Sequence, residues 1–556
     1  EGGMRTGAAA HPGSAMTWDS AIKLQLCMMS LWALVLIRPV ETQLVLPVFP
    51  GSTGLASGSG IAANSTARPL SPEEIRFRVV GPHTVCAGDA PQFSGVLPAG
   101  NGAGYFFWLA HSRSVDPMKD PLVIWLTGGP GCSSTLALLT ENGPCSVTAA
   151  TDDHSGRTVK NPWSWTEEAN VVWVDQPGGA GFSVGPPVST EKGVVHHMLT
   201  FIQSFYTHFP AFEEVPLFIF GESYAGHYVP AIALGLAQNS SYGERLKGIG
   251  IGNGLVDPWP QLASYPDMAY TGGKGGSLGH GIIDKGTFEA MEDTLKPCHD
   301  LISRCQASNT KAYPCIVAYD SCVMPQLFPV LSQGLNPYDL RKRCISQPLC
   351  YDFDAEAAFL NDPEVQRSLG AQPPRDWQTC SYAMVMNFIA SGDWLARFDH
   401  YVSELLRANV QVLVYNGDTD YMVPWIGSKR WVEELDWPYR EAWAVAPDLP
   451  FIVGGTSKAL ERTAAGLTFI QIFNSGHMVP TDQPEASLLM LREFISPTSR
   501  WAASVWFQSI PSPMPWVSAV LATMLVISAL LASVAVRAMK CWRRTDSRYL
   551  PFLTAS

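Results

Sequence analysis

Phe218-Ile-Phe-Gly-Glu-Ser223-Tyr-Ala-Gly226 opens as an apolar, β-favouring run, turns at a serine, and continues into a segment compatible with a helix. Small residues stand on both sides of Ser223, where a sharp bend brings the backbone close to itself. That strand–turn–helix bend is a nucleophile elbow, which exposes a serine hydroxyl at the top of a sheet. Ala225 takes the second small position, where glycine is more usual.

Working outward, short apolar runs at 122–126, 171–174, 217–220, 248–251, 410–415 and 467–473 read as buried strands, several followed by Gly, Asn or Pro. Amphipathic stretches at 194–208, 231–238 and 396–408 read as helices between them. Alternating strands and helices predict an α/β fold around a mostly parallel sheet, with its site beyond the C-terminal ends of the strands. Residues 256–380 break this alternation, carry most of the cysteines along with many Gly and Pro, and read as a disulfide-stapled cap inserted over the sheet. The expected organisation is a signal region at 1–42, a flexible leader or propeptide at 43–74 and a catalytic domain at 75–497. A linker at 498–515, a transmembrane helix at 516–536 and a cytoplasmic tail at 537–556 follow.

A serine hydroxyl needs a base to remove its proton. His477 in Phe473-Asn-Ser-Gly-His477-Met-Val-Pro480 and Asp418 in Tyr415-Asn-Gly-Asp418-Thr-Asp420 each follow an apolar strand. The order Ser223, Asp418, His477 is that of α/β-hydrolases. By spacing alone Asp420 competes with Asp418. The Gly-rich loop after the strand at 122–126, Gly128-Gly-Pro-Gly-Cys132, can supply an oxyanion donor at Gly129 N, with Tyr224 N as the other. A phosphate-cradling loop would need a Gly-Lys-Ser/Thr that is missing here.

These motifs together resemble the serine carboxypeptidases: Gly128 to Ser134 (GGPGCSS), Asp175 to Ser183 (DQPGGAGFS), Gly221 to Gly226 (GESYAG), Asn416 to Asp418 (NGD) and Gly476 to Pro480 (GHMVP), all in family order. The resemblance spans about residues 75–495 and implies an α/β-hydrolase with an inserted cap. It implies removal of C-terminal residues from peptides through an acyl-enzyme, with Ser223, Asp418 and His477 as the triad, Gly129 and Tyr224 as the oxyanion hole, and no cofactor or metal. It further implies that Trp125, Thr127, Glu141 and Glu222 bind the substrate's terminal carboxylate. Two Glu sharing protons at acidic pH can donate to a carboxylate, which ionised Glu would repel. Thr127 stands where the family has Asn, and a hydroxyl reaches less far than an amide. A Cys132–Cys380 disulfide is also implied. Acyl transfer to an alcohol on the same scaffold is the alternative chemistry; a non-catalytic membrane protein retaining the fold is the alternative class, against which the intact triad stands.

The chain has 556 residues, 46% of them apolar and 15% charged, a composition for a large core. A net charge of −12 argues against a nucleic-acid partner. Leu24 to Ile37 has the length of a signal-peptide core, and Trp516 to Val536 is uncharged and would span about 31 Å as a helix. Arg537, Lys540, Arg543, Arg544 and Arg548 follow it, which predicts a type I single-pass protein with its catalytic domain in a lumenal or extracellular space. An acidic, lysosome- or vacuole-like compartment fits the acidic chain. Of 12 cysteines, Cys27 and Cys541 fall in the terminal segments and ten remain. The palindromic spacing of Cys298, Cys305, Cys315 and Cys322 suits nested pairs, 298–322 and 305–315; Cys344 and Cys350 can close a small loop, and Cys86 with Cys145 is the last candidate pair. Asn64 and Asn239 lie in glycosylation sequons. Peptide or protein C-termini are the expected substrate and the membrane the expected partner; a homodimer is left open.

Overall fold

A computed structural model describes residues 76–501, apart from 81–84, 149–157, 240 and 372–374. The expected signal region, leader, transmembrane helix and tail lie outside the described residues, as does Asn64.

The main sheet has eleven strands. In chain order they are β1 (Arg76–Val80), β2 (Gln92–Gly100), β3 (Ala103–Ala110), β4 (Leu122–Thr127), β5 (Asn170–Val174), β6 (Leu217–Glu222), β7 (Leu246–Gly252), β8 (Gln411–Gly417), β9 (Leu449–Val453), β10 (Thr456–Ala464) and β11 (Leu467–Ile472). Across the sheet the order is β1-β2-β3-β5-β4-β6-β7-β8-β11-β10-β9. The six strands from β5 to β11 in that order run parallel. The outer strands on both sides are antiparallel. All six predicted strands are the parallel ones. Both faces of a parallel strand are covered, so it reads as a continuous apolar run; every residue of β5 and β6 is buried.

Alternation divides each strand between two cores. Ile124, Val172, Ile219 and Ile249 face one side, packed against α2 (Glu191–His208), α3 (Ala225–Asn239) and α8 (Asp399–Arg407). Trp125, Trp173, Phe218 and Phe220 face the other, packed against α1 (Ser134–Thr140) and α9 (Pro484–Ile495). The predicted helices at 194–208, 231–238 and 396–408 are thus α2, the C-terminal part of α3 and α8. Asn239 is the last residue of α3.

Between β7 and β8 the chain builds a largely helical cap. Its centre is α4 (Cys298–Ala307), α5 (Ala312–Cys322) and α6 (Met324–Leu331), and α7 (Tyr382–Ser391) leads back to the sheet. The nested disulfides Cys298–Cys322 and Cys305–Cys315 cross-link α4 to α5, Cys344–Cys350 closes a short loop, and Cys132–Cys380 ties the cap to the loop after β4. Cys86 pairs with Cys145. Among the described residues one run, 312–331, is long and apolar enough to cross a bilayer. It is two cap helices, and its Cys315 and Cys322 are both in disulfides, so it is a packed element of the cap.

Ile219 is fully buried in the middle of β6. Ile219→Ala is expected to cost roughly 2–5 kcal/mol of stability through lost burial and a residual cavity. Denaturant unfolding should register this as a lower midpoint.

Candidate active site

β6 ends in the elbow. Ser223 has φ +65°, a left-handed conformation that costs a non-glycine residue energy. Backbone bonds hold it there: Ser223 N donates to Gly252 O (3.0 Å), and Gly226 N and Leu255 N both donate to Ser223 O (3.0 Å each). The small neighbours are required. A Cβ on Gly226 would lie 2.3 Å from Leu255 O, and one on Gly221 would lie 2.6 Å from Leu126 O. Ala225, the departure from the usual glycine, fits with its methyl fully buried.

His477 leaves the loop after β11 with its ring turned inward and buried. Its Nδ1 lies 2.7 Å from Asp420 Oδ2. The carboxylate that meets the imidazole is therefore Asp420, and the expectation of Asp418 is corrected. Both follow β8, but they serve different neighbours. Asp418 accepts from Ser277 N (2.6 Å), Ser277 Oγ (2.5 Å) and Asn474 N (3.0 Å), which pins a cap loop and the start of the His477 loop to the end of β8. Asp420 is fully buried and saturated with donors: Asn253 Nδ2 (2.8 Å), Met422 N (2.9 Å) and Val423 N (3.2 Å), besides the imidazole. Asn253 is a site residue the sequence reading passed over. From the end of β7 it holds Asp420 with its amide nitrogen and accepts from Gly417 N with its oxygen (3.0 Å), while Gly252 beside it takes the Ser223 N–H. Nothing local in the sequence marks its partner, 167 residues away.

His477 Nε2 is buried and has no hydrogen-bond partner, so the Ser223 hydroxyl is not bonded to it as the side chains stand. Such bonds commonly tighten only when substrate is in place. Tyr338, from the cap, accepts from His477 N through its carbonyl (2.7 Å) and sets its ring edge-on to the imidazole at 5.2 Å.

The loop Gly128 to Cys132 presses on the elbow. A Cβ on Gly128 would lie 2.3 Å from Tyr224 N, so the two expected oxyanion donors, Gly129 N and Tyr224 N, come from backbone in direct contact. Gly129 has φ +109°, and a Cβ there would meet Cys132 N at 2.8 Å, so only glycine suits this position.

Glu222, at the end of β6, and Glu141, just after α1, are both buried and hydrogen-bond to each other through their carboxyls. Both are held above the ordinary carboxyl value of 4.5: Glu222 by burial and then by the charge of Glu141, and Glu141 by burial, which outweighs the bond from Glu222. The pair thus retains protons where exposed carboxylates have lost them. Trp125, expected beside them at the substrate carboxylate, is fully buried and donates its indole N–H to Thr127 Oγ1 (3.0 Å). It orients that hydroxyl, leaving the Thr127 O–H proton to point elsewhere. Thr127 N is itself bonded to Ser134 Oγ (2.9 Å). Asp175 organises the loop from below, accepting from Ser133 Oγ (2.7 Å), Thr135 N (3.2 Å) and Phe182 N (2.9 Å).

The comparisons with known proteins agree with one another. The serine carboxypeptidase family model matches residues 82–497. A carboxypeptidase Y homolog A of Leptosphaeria maculans is 36% identical over 427 residues, covering 76% of each chain. The vacuolar serine-type carboxypeptidase ATG42 of Saccharomyces cerevisiae is 36% identical over 430 residues, covering 76% of this chain and 82% of its own. Among solved structures, the prohormone-processing carboxypeptidase Kex1 of Saccharomyces cerevisiae superposes with a TM-score of 0.64 at 24% identity, over 76% of this chain and 96% of that one, which shows a shared fold.

The raised carboxyl pair has a thermodynamic signature. A carboxyl whose folded pKa lies above its unfolded value makes the folded state the more protonated one, so its contribution to stability falls as pH rises from about 4.5 towards neutrality. In Glu222→Gln the amide donates to Glu141, and that fall should shrink. Unfolding free energies of both proteins at acidic and neutral pH check it: the wild type should lose more stability across the interval than the variant.

Proposed function

The chain belongs to the serine carboxypeptidase family and is a serine carboxypeptidase, and we propose that Ser223, His477 and Asp420 carry its chemistry. His477 Nε2 takes the Ser223 proton as Oγ attacks the carbonyl of the last peptide bond. The tetrahedral oxyanion is held by Gly129 N and Tyr224 N, and His477 then returns the proton to the leaving amine. Water, activated by the same imidazole, releases the acyl group. Asp420 fixes the imidazole with Nδ1 protonated and stabilises its charged form. The observation that carries this assignment is the 2.7 Å contact between His477 Nδ1 and Asp420 Oδ2, on a carboxylate that three further donors hold in place.

Exopeptidase specificity belongs, in this reading, to Glu141, Glu222 and Thr127. The carboxyl pair donates to the substrate's terminal carboxylate while it keeps its protons, and Thr127 adds a hydroxyl aimed by Trp125. Charge supports the reading: two ionised Glu at that place would repel a carboxylate, whereas a protonated pair binds it.

The cellular setting proposed is the secretory pathway. The catalytic domain is lumenal, held by a helix at 516–536 with the C-terminus in the cytoplasm, and carries glycans at Asn64 and Asn239. Five disulfides support an oxidising compartment, and a relative described as vacuolar, together with the proton-retaining Glu pair, supports an acidic one.

Two measurements test this. Ser223→Ala should abolish turnover of an N-blocked dipeptide, and Asp420→Asn should lower kcat by about 10⁴-fold, the scale seen when a triad carboxylate is neutralised. Asp418→Asn should have a far smaller effect; the reverse ranking would return the role to Asp418. Separately, KM for a substrate with a free C-terminal carboxylate should rise from acidic to neutral pH as the Glu pair loses protons, while KM for the C-terminally amidated analogue stays level. Parallel profiles would remove the pair from substrate recognition.

A further inference from the structure

The two oxyanion donors sit at the ends of different strands. Gly129 follows β4 and Tyr224 follows β6, and their separation decides whether both can reach one oxygen. One stretch of the cap, residues 379–393, grips both.

At its start it is sewn to the Gly129 loop. Ser133 N donates to Thr379 O (2.9 Å), Ser381 N donates to Gly131 O (3.1 Å), and the Cys132–Cys380 disulfide joins the two strands of this small bridge. Met384 packs so closely on Gly131 that a Cβ there would lie 2.5 Å from its Sδ. At its far end the stretch grips Tyr224. The Tyr224 hydroxyl donates to Asp393 Oδ1 (2.7 Å), and Phe388 sets its ring edge-on to the tyrosine at 5.5 Å. Between these grips lies α7, ten residues and about 15 Å long, a stiff strut.

Asp393 is anchored in turn. Its Oδ2 accepts from Glu191 N (2.8 Å), and its own N–H donates to Ser391 Oγ (3.3 Å), which donates to Ser189 O (2.5 Å). His227, on the first turn of α3, places Nδ1 3.6 Å from Asp393 Oδ1 and packs its ring on Tyr224 at 4.5 Å. Tyr224 is 2% exposed, so its hydroxyl is out of reach of a substrate and can act on the reaction only through the placement of its own backbone.

We infer that Asp393 is a positioning residue for catalysis: through the Tyr224 hydroxyl it fixes the Tyr224 N–H, and the segment 379–393 is a splint that sets the spacing between the two halves of the oxyanion hole. The inference rests on the assignment of Gly129 and Tyr224 as the oxyanion donors. A donor placed for the transition state works only at hydrogen-bond distance from the oxygen that forms there, and a small displacement weakens the transition state while leaving substrate binding alone.

The test uses the full chain with Tyr224→Phe, Asp393→Ala and the double variant, each checked for folding by near-ultraviolet circular dichroism. Tyr224→Phe keeps the ring and the backbone N–H and removes only the hydroxyl, so it remains informative if Asp393→Ala fails to fold. The expected result is a fall in kcat of about tenfold for each single variant, a fraction of the loss on deleting an oxyanion donor, with KM changed by less than about twofold. The double variant should be no worse than the worse single, because all three lack the same bond. Affinity for a peptide aldehyde, which forms a tetrahedral adduct with its oxygen in the hole, should fall by the same factor as kcat. Wild-type kcat in folded Tyr224→Phe, or a raised KM with kcat intact, would overturn the inference. Ser223→Ala run alongside separates the two failures. If Ser223→Ala is inactive while Tyr224→Phe is fully active, only the splint is wrong; if Ser223→Ala retains turnover, the site assignment itself is wrong.

Discussion

A carboxylate with no access to water is the constraint around which this site is built. Asp420 is fully buried, and an unpaired charge in that position would be prohibitively expensive. The protein solves the problem with four donors from three places: two backbone N–H groups of its own turn, the Asn253 amide from the end of β7 and the His477 imidazole from beyond β11. The arrangement that satisfies the charge also orients the His477 imidazole. Asn253 is the joint, because the same short loop that supplies its amide also receives Ser223 N through Gly252 O. Ser223, Asp420 and His477, the proposed nucleophile, acid and base, are thus held by the ends of adjacent parallel strands, and their geometry follows from the register of β6, β7, β8 and β11.

The cap is more than a cover. It meets the sheet at several points that matter chemically: Tyr338 at His477, Ser277 at Asp418, Cys380 at the Gly129 loop and Asp393 at Tyr224. Disulfides cross-link the cap internally and to the core. Each contact fixes a loop that would otherwise lie free at the end of a strand, which is where functional residues of a parallel sheet must sit.

Much of this was legible in the amino-acid sequence, for physical reasons. Parallel strands are buried on both faces and announce themselves as apolar runs; of the antiparallel strands β3 (AGYFFWLA) is just as buried and apolar yet was passed over, whereas β2 and β10 are not such runs. β10 carries Lys458, Glu461 and Arg462, and β2 is broken by Gly95 and Pro98, so neither read as a strand. The elbow was readable because close backbone approach demands small residues at 221 and 226. The nested cap disulfides were readable from spacing, but Cys132–Cys380 spans 248 residues and came only from family resemblance. The choice between Asp418 and Asp420 was not readable at all. Both follow β8, and what separates them is which way each side chain faces: one towards Ser277 and Asn474, the other towards Asn253 and His477. Those partners lie far away in sequence, and only tertiary structure brings them together. Trp125 shows the same limit, since its indole turned out to serve Thr127.

The most direct test of this account is proton NMR of the labile hydrogen on His477 Nδ1. A buried N–H donating over 2.7 Å to a carboxylate should give a far-downfield, exchange-protected resonance. That signal should persist in Asp418→Asn and disappear or move strongly upfield in Asp420→Asn. A resonance that survives in Asp420→Asn and is lost in Asp418→Asn would contradict the central claim.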